Sequence, residues 1–282
     1  MPPAFALGGP PRALPIPILA PAHMRALANG PVHGRRSPPV SAALAQWATG
    51  RGVEYSVRPA QGHEVWPAAD LHCSAFYPRG VPDFLVGPLL RLDRVISIIA
   101  GQQYEASGRG RFACLVAAEE GGGWEAEGDA AAGSEGGWGK SVLGAAFPEG
   151  VRQGLGVPHE RQGVLGVAVV DTLGQHLPSV PRVVDGRTTW QKMQGVAYIS
   201  NLAVSPAARR QGVGKALVVA AEAAAREWGC HIAALHCDPA NEGASGLYAG
   251  FGYSHPDGVE GCEEFVGSGL KRTCQLLVRP LG

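Results

Sequence analysis

Apolar and polar positions alternate over residues 53–58 in the manner of a short strand, and Pro59 closes it. Over 63–76 the period lengthens: Val65, Ala69, Cys73 and Phe76 form a loose helical apolar face, with Pro67 near the first turn, where proline is tolerated. Within 82–100, Leu89, Leu92, Val95, Ile96 and Ile99 recur at helical spacing. Gly87-Pro88 marks either a kink in that helix or its true start, and Gly101 is placed to end it. Residues 112–117 are a continuous apolar run of strand length. The stretch 119–162 is rich in glycine, glutamate and alanine and has little periodicity; strand-like 163–171 then resumes the pattern. It reads as a loop insertion inside one domain. Residues 174–192 read as a further polar connection containing proline.

From Gly195 the signals are denser. Residues 196–204 form a strand broken by Ser205-Pro206. Residues 212–228 form a helix with Val213, Ala216, Leu217, Ala220, Ala224 and Trp228 on its apolar side and Gly229 as its cap. A second strand covers 231–237, a short helix 242–249 and a last strand 272–279. That order predicts an α+β domain, a central mixed sheet with helices on both faces.

Composition narrows the setting. With 45% apolar and 17% charged residues over 282 positions, a sizeable core can form. Zero net charge gives no support for a nucleic-acid partner, and no apolar run reaches the roughly 18 to 20 residues of a membrane span. The cysteines at 73, 114, 230, 237, 262 and 274 contain no CxxC pair and no zinc spacing. They read as free thiols of a reducing compartment, with no metal expected. Charge is uneven, however. Glu54 is the first acidic residue, preceded by Arg12, Arg25, Arg35, Arg36 and Arg51 among prolines and alanines. Residues 1–52 are therefore expected to be a disordered lead, either an organelle transit peptide or an ordinary tail, with the domain occupying 53–282.

Candidate chemistry gathers at Arg209-Arg210-Gln211-Gly212-Val213-Gly214, between a strand and a helix. Backbone N–H groups at a helix N-terminus converge on an anion, two glycines allow close approach, and Arg209, Arg210 and the adjacent Lys215 add charge. A dinucleotide fingerprint would need a third glycine where Leu217 stands. A Walker A loop would need Ser or Thr where Ala216 stands and glycine where Arg209 stands, so both motifs fail. By spacing alone the loop is either an anion site or a basic turn opening an ordinary helix.

The loop resembles the acetyl-CoA loop of the GNAT superfamily of N-acetyltransferases, Gln/Arg-x-x-Gly-x-Gly/Ala, at every fixed position. The downstream GNAT signature Asn-x-x-Ala-x-x-Leu-Tyr-x-x-x-Gly-Phe/Tyr is matched by Asn241, Ala244, Leu247, Tyr248, Gly252 and Tyr253. The close match covers 195–253 and a weaker one 53–282. Residues 111–116 are similar to plastid members of plants and algae, which are described as acetylating protein N-termini and lysines.

The resemblance implies a mostly antiparallel sheet in which the parallel strands 196–204 and 231–237 splay apart. It implies acetyl-CoA as co-substrate, with backbone groups of Leu202, Ala203 and Val204 on the pantetheine and 209–215 on the pyrophosphate. Tyr248 takes the position of the general acid. Asn241 either contacts the cofactor or simply caps its helix. Relatives with a glutamate base on the first strand find no counterpart in 196–204; His236 paired with Tyr198 is the candidate base, and a water relay needs neither. The implied acceptor is a protein α-amine or lysine, in a groove built by the first helices and the loops near 174–192 and 254–270. A small-amine acetyltransferase and a non-catalytic acyl-CoA-binding module are the alternatives.

Overall fold

The computed structural model describes residues 46–49, 54–77, 83–119, 163–177, 179–184, 187–256, 263–267 and 270–282. An eight-stranded sheet runs in the order β1-β2-β3-β4-β7-β8-β10-β9. Its strands are β1 (Gln46–Thr49), β2 (Glu54–Pro59), β3 (Phe112–Glu119), β4 (Val164–Asp171), β7 (Val196–Val204), β8 (Ile232–Cys237), β9 (Glu263–Gly267) and β10 (Leu270–Pro280). Every neighbouring pair is antiparallel except β7 with β8. A separate hairpin joins β5 (Val180–Val184) to β6 (Arg187–Gln191). The fold is the α+β GNAT arrangement that the resemblance implies.

Helices α1 (Val65–Phe76) and α2 (Asp83–Ala106) lie on one face, where Leu71, Val95 and Ile98 pack with Cys114, Val116 and Val167. Helices α3 (Val213–Glu227) and α4 (Glu242–Phe251) lie on the other, where Leu217 and Ala221 pack with Leu115, Ala168 and Leu235. The central strands β3 and β4 are buried almost end to end, as strands covered on both faces must be.

Several expectations are corrected. Gln46–Thr49, inside the stretch read as the lead, pairs with β2; the rest of 1–52 and the insertion 120–162 lie outside the described residues. Residues 174–192 hold a hairpin rather than a plain connection, because Pro181 sits in a two-stranded ribbon where a lost donor is tolerated. The last strand begins at Leu270 and is preceded by β9. Helix α2 starts at Asp83, five residues before Pro88, and runs through Gly101 to Ala106. That glycine serves packing instead: a Cβ there would lie 2.3 Å from the Phe112 ring. Of the stripe expected on α2, Leu89 and Ile96 are exposed and Val95 faces the core, joined there by Ile98, which the stripe did not include.

Candidate active site

Between β7 and β8 only three rungs form, Val196 with Ile232, Ala197 with Ala233 and Tyr198 with Ala234. Beyond them β7 continues to Val204 while pairing with β4 alone, so its edge toward β8 is open. The cause is local. Asn201 adopts φ of +56°, and the register with β4 shifts between Val167 and Val169. Such a bulge bends a strand and inverts its alternation. Val196 and Tyr198 face the α1/α2 side, yet beyond the bulge it is Ala203 that faces that side, while Leu202 and Val204 pack toward α3 and α4.

A cleft of about 920 Å3 occupies the opening. Leu202, Ala203, Val204, Arg209, Arg210, Gly212, Gly214, Lys215, Asn241 and Tyr248 line it, as do Tyr198 and His236. The side chains of Gln211 and Val213 do not: Gln211 donates to the Ala207 carbonyl at 2.7 Å, and Val213 is buried in the core. From Val213 only the backbone N–H remains for a ligand.

The loop end is built to hold an anion. Arg210 and Gly212 both have positive φ, +63° and +89°, a conformation that gathers N–H groups into a concavity. Gly212 caps α3 without a side-chain bond, and the first helical bond runs from Ala216 N to the Gly212 carbonyl at 2.9 Å. The N–H groups of Val213, Gly214 and Lys215 thus have no acceptor within the helix. Arg209 Nε donates to the Val204 carbonyl at 3.3 Å, tying the loop to the end of β7. A pyrophosphate fits this cradle, and a pantetheine fits the open edge of β7 as a strand would.

The two candidate proton-transfer groups stand on opposite faces. His236 follows the alternation of Ala234 onto the α1/α2 side, where its Nδ1 lies 2.8 Å from the Tyr198 hydroxyl. Burial, with a smaller effect from His176, pushes the imidazole down to about 4. His236 is therefore neutral at pH 7 and able to accept a proton. Tyr248 reaches the opposite side from α4, buried beside Cys237 and Tyr253. Burial first, then the neighbouring thiol, hold its hydroxyl well above the usual tyrosine range, so it stays protonated and can only give a proton away. Asn241 is the N-cap of α4, its Oδ1 accepting from Ala244 N at 3.1 Å, while the residue as a whole borders the cleft.

Sequence reasoning did not single out His176, whose ring centroid lies 5.3 Å from that of Tyr198, or Arg94 on α2. Neither belongs to a local motif; only the fold brings them to the cleft. Cys73, Cys114, Cys230 and Cys237 are buried thiols, and no metal-binding cluster is found among the described residues. No helix among the described residues is long and apolar enough to cross a membrane.

An open parallel strand pair ending at a helix start is the geometry that the resemblance implies, and comparison with known proteins bears on the same point. Residues 160–253 match the acetyltransferase (GNAT) family model, and the chain carries a GNAT-family acetyltransferase domain. It is 32% identical over 210 residues to the chloroplastic GCN5-related N-acetyltransferase 4 of Arabidopsis thaliana. The match covers 71% of this chain and spans about 60% of that relative's length. Among solved structures, an N-acetyltransferase from Staphylococcus aureus Mu50 superposes with a TM-score of 0.46 at 15% identity, covering 81% of this chain and 99% of the other. Arabidopsis thaliana NAA60, solved with acetyl-CoA, gives 0.44 at 14%, covering 80% and 98%. These loose likenesses add nothing to what the strand order shows.

Proposed function

We propose that the protein is an acetyl-CoA-dependent N-acetyltransferase that acetylates N-terminal α-amines and/or lysine ε-amines of proteins, in the plastid. One observation carries this reading: a neutral His236–Tyr198 pair and a protonated Tyr248 face one opening from its two sides, with the anion cradle at its end. Acetyl-CoA supplies the activated acyl group. An ammonium has no lone pair, so the pair on the α1/α2 side takes a proton from the acceptor, passing it from the Tyr198 hydroxyl to His236 Nδ1. Tyr248, on the α3/α4 side, protonates the departing thiolate. Open backbone of β7 and the N–H groups of 212–215 orient the donor. Among the described residues two thiols line the opening, Cys237 and Cys274, and burial pushes Cys237 up, leaving it a poor nucleophile.

The acid-free lead and the chloroplastic relative support the plastid assignment. The test is an acceptor panel for the full chain: peptides with open N-termini, N-blocked peptides bearing lysine, an arylalkylamine and a polyamine. Release of CoA with peptides and acetylated peptide by mass spectrometry is the expected result. Turnover confined to free amines would assign a small-molecule enzyme, and acetyl-CoA binding without turnover a binding module.

A further inference from the structure

On the acceptor side of the cleft stands a cation that the transfer chemistry leaves unused. Arg94 projects from α2 with one guanidinium bond, to Asn201 Oδ1 at 3.5 Å, and its Nε is buried without a hydrogen-bond partner. Three other partly buried arginines behave differently: Arg58 meets Glu64, Arg91 meets Asp70 and Arg279 meets Glu222. Among the described residues no carboxylate pairs with Arg94. Asp93 beside it is exposed, and Asp70, one turn into α1, is engaged by Arg91. A guanidinium partly withdrawn from water without a counter-ion costs free energy that packing does not return, and suits a group whose partner arrives with a ligand. That partner is not the donor's pyrophosphate, whose cradle opens α3 on the opposite face of the sheet.

We propose that Arg94 reads a carboxylate on the acceptor, so that the preferred substrates are peptides with Asp or Glu within the first three residues after the free amine. This rests on the protein-amine reading above. The spacing suits it: Tyr198 and Asn201 are three residues apart on β7, about 10 Å for fully extended backbone and less across the bulge. An extended peptide whose amine lies at Tyr198 and His236 therefore brings its second or third side chain to Arg94. Planar guanidinium and carboxylate pair bidentately, which a neutral side chain cannot copy. His176, the titratable neighbour, is pushed down first by burial and then by Arg94, and adds no competing charge there.

C-terminally labelled peptides with an acidic, neutral or basic second residue, titrated against the full CoA-loaded chain and followed by fluorescence anisotropy, test this. The acidic peptide should bind about tenfold tighter than the neutral one, the effect of one charge-assisted contact. Arg94→Gln should erase the difference and Arg94→Glu should invert it toward the basic peptide, with acetyl-CoA affinity unchanged in both as the control for folding. Equal binding of acidic and neutral peptides by the parent, or a preference that survives Arg94→Gln, overturns the assignment. Peptides that bind and turn over without charge preference sink the Arg94 role alone. Peptides that neither bind nor turn over, while free amines do, sink the protein-acceptor reading and this role with it.

Discussion

Replacing Gly214 by alanine should leave the fold as stable as before, or more so, and leave acetyl-CoA binding nearly unchanged. A Cβ built on Gly214 would lie 3.5 Å from Leu247 Cδ2 and 3.6 Å from Val204 Cγ2, ordinary contact that requires nothing to move. Gly214 is the second residue of α3, where alanine is favoured over glycine by up to about 1 kcal/mol. The loop pattern Gly-x-Gly/Ala admits alanine at this position, and the residue 214 N–H stays available to a phosphate oxygen. Losing one charge-assisted N–H contact costs about 1.5–3 kcal/mol, roughly 10- to 150-fold in Kd. Gly212→Ala provides the contrast. Its φ of +89° penalises any side chain by about 1–2 kcal/mol, so that variant should lose stability as well as affinity. Thermal unfolding of the ligand-free chains and calorimetric titration with acetyl-CoA measure the two effects separately. A large loss of affinity in Gly214→Ala, or unchanged affinity in Gly212→Ala, would refute the assignment of this backbone to the donor.

Other substitutions probe the proton-transfer groups and the frame. Tyr248→Phe should lower kcat by about 10²–10⁴, the range of a general acid, with acetyl-CoA affinity little changed; unchanged turnover would remove its role. Asp171, on β4 opposite Tyr198, is pushed up to about 6 by burial, opposed by its bond from Leu173 N. Its folded form holds the proton more tightly than the unfolded chain, so its contribution is present below about 4 and lost as pH rises through 6. Asp171→Asn should therefore stabilise the protein at pH 8 by at most about 3 kcal/mol and progressively less toward pH 5, measured by urea unfolding. An equal effect at both pH values would contradict the sign. Arg279→Met would leave Glu222, 3% exposed, with Arg226 at 3.4 Å as its remaining ion pair among the described residues; about 3 kcal/mol of stability should be lost, and a loss well under about 1 would show the pair to be dispensable.

The segment from β7 to α4 was legible because its local signals agree. Strand-length apolar runs, a glycine at each helix end and an Asn cap all point to one reading. Strands β5, β6 and β9 were missed because each has only five residues and no sustained alternation, and Pro181 and the adjacent Glu263-Glu264 read as connection. Gly101 misled because a glycine admitted for close packing looks, in sequence, like a helix stop. The bulge left almost no trace. Asn201 tolerates positive φ, but residues 196–204 read as an unbroken strand, and the shift depends on register with β4. The Tyr198–His236 pairing came from family resemblance, whereas Arg94 and His176 lie 107 and 25 residues from Asn201 and meet only in three dimensions.

The central claim is that the open edge of β7 and the start of α3 hold the donor. Residue-resolved amide hydrogen exchange of the full chain, with and without acetyl-CoA, tests it most directly. Protection should appear at 202–204 and 212–215 and leave the amides of β2 and β3 unchanged. Exchange at those two stretches that is unaltered by saturating acetyl-CoA would contradict it.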